Sequence, residues 1–400
     1  VRHCVSETEA GDLLAVTRFP GSNRLTDVLV IGGGVNGLAA AWHLTRRGAR
    51  VALVERFRVG HDRGSSHGAS RIARSAYPEA GYVRLMRRAF AEEWPRLERD
   101  AGRTLLHRTP AYFFGPPGGS LGAYARAVRE AGADVLAVPP AEARKLAPQF
   151  RFEGCDDVLV DRTAGLVAAA DTVASLAALV RAAGAEVSEA TAVRAVEPHA
   201  DRVEVATDRG VRRADRVIVT AGAWTSRLVP RLAPRLAVAR QSIGYFAIEG
   251  GADAARLGRF PVWCQMGATV NDFHYGLPSF GREGIKAAQH VTSQRDEDPD
   301  VLPAGPDERS LADLRAFLDR ELAVRIERRV GAETCLYTNT PTEDFVIGPL
   351  PGEPRIVVGS ACSGHAFKFA PLTGRALAEL ALDGRTSMPE FEAMRATFAV

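Results

Sequence analysis

The chain has 400 residues, 46% of them apolar and 25% charged, with a formal net charge of +3. That length exceeds one ordinary core and implies two domains, while basic residues scattered through the sequence give no footprint for nucleic acid or a membrane surface. Cys4, Cys155, Cys264, Cys335 and Cys362 include no CxxC pair, so neither a zinc site nor a disulfide framework is indicated, and a reducing, cytoplasmic location is expected.

Residues 1–26 mix charged residues and proline without an apolar run of signal-peptide length, and read as an extension. Val28 to Ile31 is a continuous apolar run, as expected of a parallel strand buried on both faces. Gly32-Gly33-Gly34-Val35-Asn36-Gly37 follows, then a helix predicted from Gly37 to Arg47, then a strand from Val51 to Val54 that ends on Glu55. Strand, glycine turn, helix, strand and acid make a dinucleotide fingerprint. Gly32, Gly34 and Gly37 let backbone approach a pyrophosphate at the helix N-terminus, and Glu55 accepts from ribose hydroxyls.

Arg71 and Arg74 come next in Gly64-Ser65-Ser66-His67-Gly68-Ala69-Ser70-Arg71-Ile72-Ala73-Arg74. On a helix they share a face, which suits a carboxylate or phosphate as well as a solvated arginine surface. Leu166 to Ala183 reads as an alanine- and leucine-rich helix, and the most apolar long stretch, Ala164 to Val180, is interrupted by Asp171 and too short and broken to span a bilayer. Arg216 to Val219 reads as a buried strand leading to a glycine turn, and Arg355 to Gly359 as another, followed by a helix from Pro371 to Leu382. These segments belong to one nucleotide domain of α/β type, discontinuous over 27–105, 166–232 and 330–400. Residues 106–165 and 233–329, richer in proline and aromatics, form a second, mainly antiparallel domain, with Gly244 to Ile248 as one strand. Residues 299–307 read as a surface loop.

Only three of the 51 basic residues are lysine: Lys145, Lys286 and Lys368. Arginine does not substitute for the compact ammonium where that group matters. Tyr275-Gly276-Leu277-Pro278-Ser279-Phe280 reads as an aromatic turn ahead of Lys286 and His290. Those two share a face whether their segment is helix or strand. His365 and Lys368, in Ser363-Gly364-His365-Ala366-Phe367-Lys368, lie between a buried strand and a helix, where backbone amides gather anions; a glycine turn with a solvated lysine is the alternative. Cys335 by itself reads as a buried thiol.

Taken together, these motifs resemble the monomeric sarcosine oxidase family, which includes pipecolate and N-methyltryptophan oxidases. The resemblance runs from about residue 27 to 385. Its most specific parts are Cys335-Leu336-Tyr337-Thr338-Asn339-Thr340 and Ser363-Gly364-His365-Ala366-Phe367-Lys368. It implies a glutathione-reductase-like FAD domain beside an antiparallel substrate domain, FAD joined through a thioether to Cys335, and a monomer. It also implies that Arg74 and Lys368 bind the carboxylate of a small amino-acid substrate, with Arg71 near the flavin and Lys286 the group that activates oxygen. Tyr275 and His290 line the substrate cavity, and Met266 and Phe246 help set its shape. The expected reaction is oxidation of a secondary amino acid such as sarcosine by oxygen, to an imine and hydrogen peroxide. A cyclic imino acid as substrate, or a dehydrogenase with another electron acceptor, is the alternative. Cys362, Ala366 and Gly348 depart from the family pattern, the first two near expected flavin contacts.

Overall fold

The computed structural model describes residues 26–270, 272–290, 297–301, 305–360 and 363–394. Cys4, Cys362 and nearly all of the amino-terminal extension fall outside them, as does part of the 299–307 loop.

Thr26–Ile31 lies at the centre of the first sheet, parallel to Val51–Val54 on one side and to Gly210–Val219 on the other. Val28, Leu29, Val30 and Ile31 are all buried, because helices cover one face and Leu29 and Ile31 cluster on the other with Val229, Leu232 and Leu236. Glu186–Ser188 continues the sheet beyond Val51–Val54, and Glu353–Ser360 runs parallel to Gly210–Val219. The helix after the glycine turn, Val35–Arg46, starts two residues earlier than its apolar spacing predicts. It packs against Ala370–Asp383 and Ala169–Ala182. Gly37 is glycine because a Cβ there would overlap the carbonyl oxygen of Gly32.

The second sheet has eight strands, ordered Ile326–Asn339, Ala237–Ile248, Ile285–His290, Phe273–Leu277, Val262–Met266, Ala111–Phe114, Val158–Asp161 and Val135–Val138. Every neighbouring pair is antiparallel except Val262–Met266 with Ala111–Phe114. Alternation along the strands divides its faces. Phe246, Ile285, Ala287 and Trp263 pack under the helix Glu308–Glu321, whose N-cap Asp307 accepts from the Arg309 and Ser310 amides. Tyr245, Lys286, His290, Tyr275, Cys335 and Tyr337 occupy the opposite face, toward the nucleotide domain.

Several local expectations change. Arg71 lies on the strand Ser70–Ala73, paired with Gly165–Ala168, so Arg71 and Arg74 do not share a helix face. The predicted helix from Leu166 begins as that same strand and becomes helical only at Ala169. Tyr275 is on a strand rather than in a turn. The expected domain boundaries at 165/166 and 329/330 fall inside strands, the second within the one that carries Cys335.

Candidate active site

One cavity runs from the glycine turn to the inner face of the second sheet. At its near end Gly32 has φ +103°, and its missing side chain leaves room for the Thr220 carbonyl. Gly34 is the N-cap of its helix and offers no side-chain cap. Glu55 accepts from the Gly33 amide at 2.6 Å and from the Phe57 amide at 2.7 Å, which fixes its carboxylate against the glycine turn.

Arg71 comes next along the wall. Its guanidinium donates to the carbonyls of Ser65 (2.9 Å), His67 (2.6 Å) and Ser70 (2.9 Å), so it folds the 64–70 loop around itself. Ser65 Oγ in turn donates to the Leu336 carbonyl, tying that loop to the cysteine strand.

Lys286 is buried and its Nζ donates to the Ser70 carbonyl at 3.1 Å and to Glu333 Oε1 at 3.2 Å. Burial, reinforced by Arg71, draws the lysine down to about 8 against the opposing pull of Glu333. Burial by itself would raise the Glu333 carboxyl, but Lys286 and the Tyr245 hydroxyl hold it below the usual range. Glu333 escapes motif reading, yet it lies two residues before Cys335 on one strand and so must share its face.

Cys335 and Tyr337 follow on that face, both buried and both lining the cavity. Tyr275 OH stands 3.5 Å from Tyr337 OH. Gly364, at φ +74°, is pressed against the Tyr337 ring, where a Cβ would overlap ring carbons. Ala366 is buried in the wall, so the departure from glycine there puts a methyl group on the cavity. Gly348 lies in the buried strand Val346–Leu350.

Arg74, His290, His365 and Lys368 line a further part of the wall, with buried Tyr77 in contact with Arg74 and Lys368. Arg74 lies 4.1 Å over the Tyr77 ring and donates to the Ala76 carbonyl. No carboxylate reaches ion-pair distance of it among the described residues; Asp161 is taken up by the Ser75 and Ala76 amides and Thr163. Lys368 Nζ donates to Tyr77 OH at 2.9 Å and to the His365 carbonyl at 2.7 Å. His290 stacks on Phe273 with centroids 4.4 Å apart, and its Nε2 is 3.3 Å from Glu343 Oε2. Burial pushes both histidines below their ordinary value, His365 furthest with Lys368 adding to the effect, so both are neutral at pH 7. Tyr77 and Glu343 have no motif signal. Met266 is buried behind the wall and Phe246 on the far face, so neither lines the cavity; Cys264 and Phe273 do.

These residues fit an elongated dinucleotide. Asn36 Oδ1, beside the glycine turn, and Thr338 Oγ1, beside Cys335, are buried on the cavity wall without a hydrogen-bond partner among the described residues. On a cavity wall, buried polar atoms that the described residues leave unmatched suit a polar ligand. FAD bound there would be held by Gly32, Gly34, Glu55 and Asn36 at one end and by Thr338 and the Gly364–Lys368 turn at the other.

A dinucleotide fold whose cavity continues into a sheet lined by cations and tyrosines defines a flavin-dependent oxidoreductase. Residues 27–380 match the family described as DAO, FAD dependent oxidoreductase, and the chain belongs to that family. It is 32% identical over 371 residues to the monomeric sarcosine oxidase of Bacillus sp. (strain NS-129), covering 90% of this chain and 94% of that one. It is also 32% identical over 365 residues to the peroxisomal sarcosine oxidase of Mus musculus, covering 89% and 92%. Among solved structures, the open form of NikD, an unusual amino acid oxidase essential for nikkomycin biosynthesis, superposes with a TM-score of 0.76 at 26% identity, covering 90% of this chain and 95% of that one. L-proline dehydrogenase from P. horikoshii has the same fold, with a TM-score of 0.77 at 19% identity, covering 92% and 96%. No helix among the described residues is long and apolar enough to cross a membrane.

Proposed function

We propose that this FAD-dependent enzyme oxidises a small secondary amino acid, sarcosine or a similar N-methyl amino acid, with molecular oxygen as acceptor. The observation that carries the reading is Arg74, a buried guanidinium without an acid partner among the described residues, beside Lys368 on the same cavity as the glycine turn. Two cations on one tyrosine match a substrate carboxylate, and the fork of Arg74 suits it bidentately. The same cations disfavour a third positive charge, so the amine binds unprotonated with its lone pair available. Neutral His290 and Tyr275 flank the position it takes.

FAD supplies the two-electron redox chemistry, and Cys335 anchors it through a thioether. The substrate loses two electrons and two protons across its C–N bond to become an imine, and oxygen gains them to become hydrogen peroxide. Water then splits the imine into amine and aldehyde, which for sarcosine are glycine and formaldehyde. Lys286 places a fixed ammonium where oxygen acquires negative charge. Arg71 shapes the loop beside it. The enzyme acts as a monomer, as the bacterial relatives are named, and in a reducing cytoplasm, in keeping with the thiols of Cys155 and Cys264.

The test is a peroxide assay of purified holoenzyme against sarcosine, N-methyl amino acids, L-pipecolate, L-proline and glycine. Peroxide formed fastest from sarcosine or another N-methyl amino acid supports the reading. Preference for L-pipecolate or L-proline replaces it with a cyclic substrate. Anaerobic bleaching of the yellow colour by substrate, without peroxide in air, makes the enzyme a dehydrogenase.

A further inference from the structure

We propose that Glu333 is a positioning residue that keeps Lys286 as an ammonium ion and aims it into the cavity. This rests on the reading of Lys286 as the group that faces oxygen. A lysine ammonium has three donors. Two are taken, by the Ser70 carbonyl at 3.1 Å and by Glu333 Oε1 at 3.2 Å, and Lys286 lines the cavity with what remains.

A buried ammonium tends to lose its proton, and the other charged neighbour makes that worse. Arg71, on the strand Ser70–Ala73, presents a like charge; Tyr245, on Ala237–Ile248, is neutral at pH 7, and Cys335, on Ile326–Asn339, favours the charged lysine less than Glu333 does. His67, in the 64–70 loop, is held neutral chiefly by burial. Glu333 is therefore the group that most favours the charged lysine. Its carboxylate is fixed by three donors from three elements: Lys286, Tyr245 OH at 2.8 Å, and Arg282 at 3.4 Å from the turn preceding Ile285–His290. Arg282 is 42% exposed at its side chain whereas Lys286 is 3%, so Glu333 stands between solvent and the cavity. Removing its charge while keeping its shape leaves the ammonium facing Arg71 alone.

The experiment follows oxygen consumption by the substrate-reduced holoenzyme as a function of pH. The chains compared are wild type, Glu333→Gln, Glu333→Asp, Lys286→Met and the Glu333→Gln/Lys286→Met double variant. Anaerobic reduction, measured alongside, separates a general loss of structure from an effect on the oxygen step. The alkaline loss of oxygen reactivity is expected to move about 1 pH unit or more lower in Glu333→Gln. Glu333→Asp should restore part of that shift, and Glu333→Gln should add nothing once Lys286 is methionine. An unmoved profile in Glu333→Gln, or a full additional loss in the double variant, overturns the inference while leaving Lys286 its role. Wild-type oxygen reactivity in Lys286→Met overturns the reading of Lys286, and the inference with it.

Discussion

Arg74→Met is expected to cripple turnover without unfolding the protein, and the reason lies in what surrounds the guanidinium. Arg74 is 4% exposed, with Tyr77 at 4.1 Å, Phe273 at 5.7 Å, and Phe113 and Tyr124 at 5.8 Å from its central carbon. Moving a guanidinium out of water costs several kcal/mol even after relaxation, and a desolvated aromatic face returns only about 2 kcal/mol. The difference is met when a carboxylate arrives. With methionine in place, a bound substrate would bury its carboxylate against Lys368 alone. Breaking a buried pair in this way costs about 3 kcal/mol, or roughly 150-fold in kcat/KM. Arg74→Lys keeps the charge but loses the fork, so its loss should be smaller, about tenfold. Because the free protein carries an uncompensated charge here, Arg74→Met should leave its unfolding free energy within about 1 kcal/mol of wild type, or raise it. Peroxide kinetics with sarcosine and urea unfolding of the same preparations check both halves. A variant with wild-type kcat/KM would refute the carboxylate site. A variant that is inactive only because it has lost several kcal/mol of stability would refute the energetic argument.

Three further substitutions probe the rest of the cavity. Cys335→Ser should move the yellow colour from the acid-precipitated pellet to the supernatant; colour still held in the pellet would place the covalent link elsewhere. Lys286→Met should slow oxygen consumption by the reduced enzyme roughly 100-fold while sparing anaerobic reduction by substrate, and equal slowing of both would remove its oxygen role. Gly364→Ala puts a Cβ into the Tyr337 ring at φ +74°, and should cost about 3 kcal/mol in urea unfolding from backbone strain plus overpacking. An unchanged denaturation midpoint would mean that the turn relaxes away from Tyr337.

The nucleotide half was legible because its signals are local. Val28 to Ile31 is apolar without interruption because both of its faces are covered, and the spacing of Gly32, Gly34 and Gly37 answers to one backbone approach within six residues. The strand Ser70–Ala73 defeated the same method, since four residues are too few to show a period and two arginines three apart imitate a helix face. The Gly and Pro neighbours of Tyr275 predict a turn, but its backbone is claimed by Cys264 and Ala288 on either side. The partners of the cavity cations were harder still. Glu333 reaches Lys286 across 47 residues, and Tyr77 reaches Lys368 across 291, so no window contains both members. Strand alternation from Cys335 was the one available clue to Glu333. Met266 shows the limit of resemblance: it shares a strand with Cys264, but only Cys264 reaches the cavity.

The division of labour among Arg71, Arg74, Lys286 and Lys368 follows from what each already holds. Arg71 gives three of its five donors to carbonyls and forms a core around which the 64–70 loop is wound. Lys286 has a carboxylate partner, which fixes its position and favours its charge but leaves less of its field for a stable anion; a small species that becomes negative only during reaction suits it better than a bound carboxylate. Lys368 donates to Tyr77 OH and to the His365 carbonyl of its own turn, which fix its position beside Arg74. Arg74 meets rings and one carbonyl, and no carboxylate among the described residues balances its charge. A permanent anion is accordingly drawn to the Arg74 and Lys368 end, and a transient one to Lys286. Glu333 and Tyr77 distinguish the two lysines, since one is held by a carboxylate and the other by a hydroxyl.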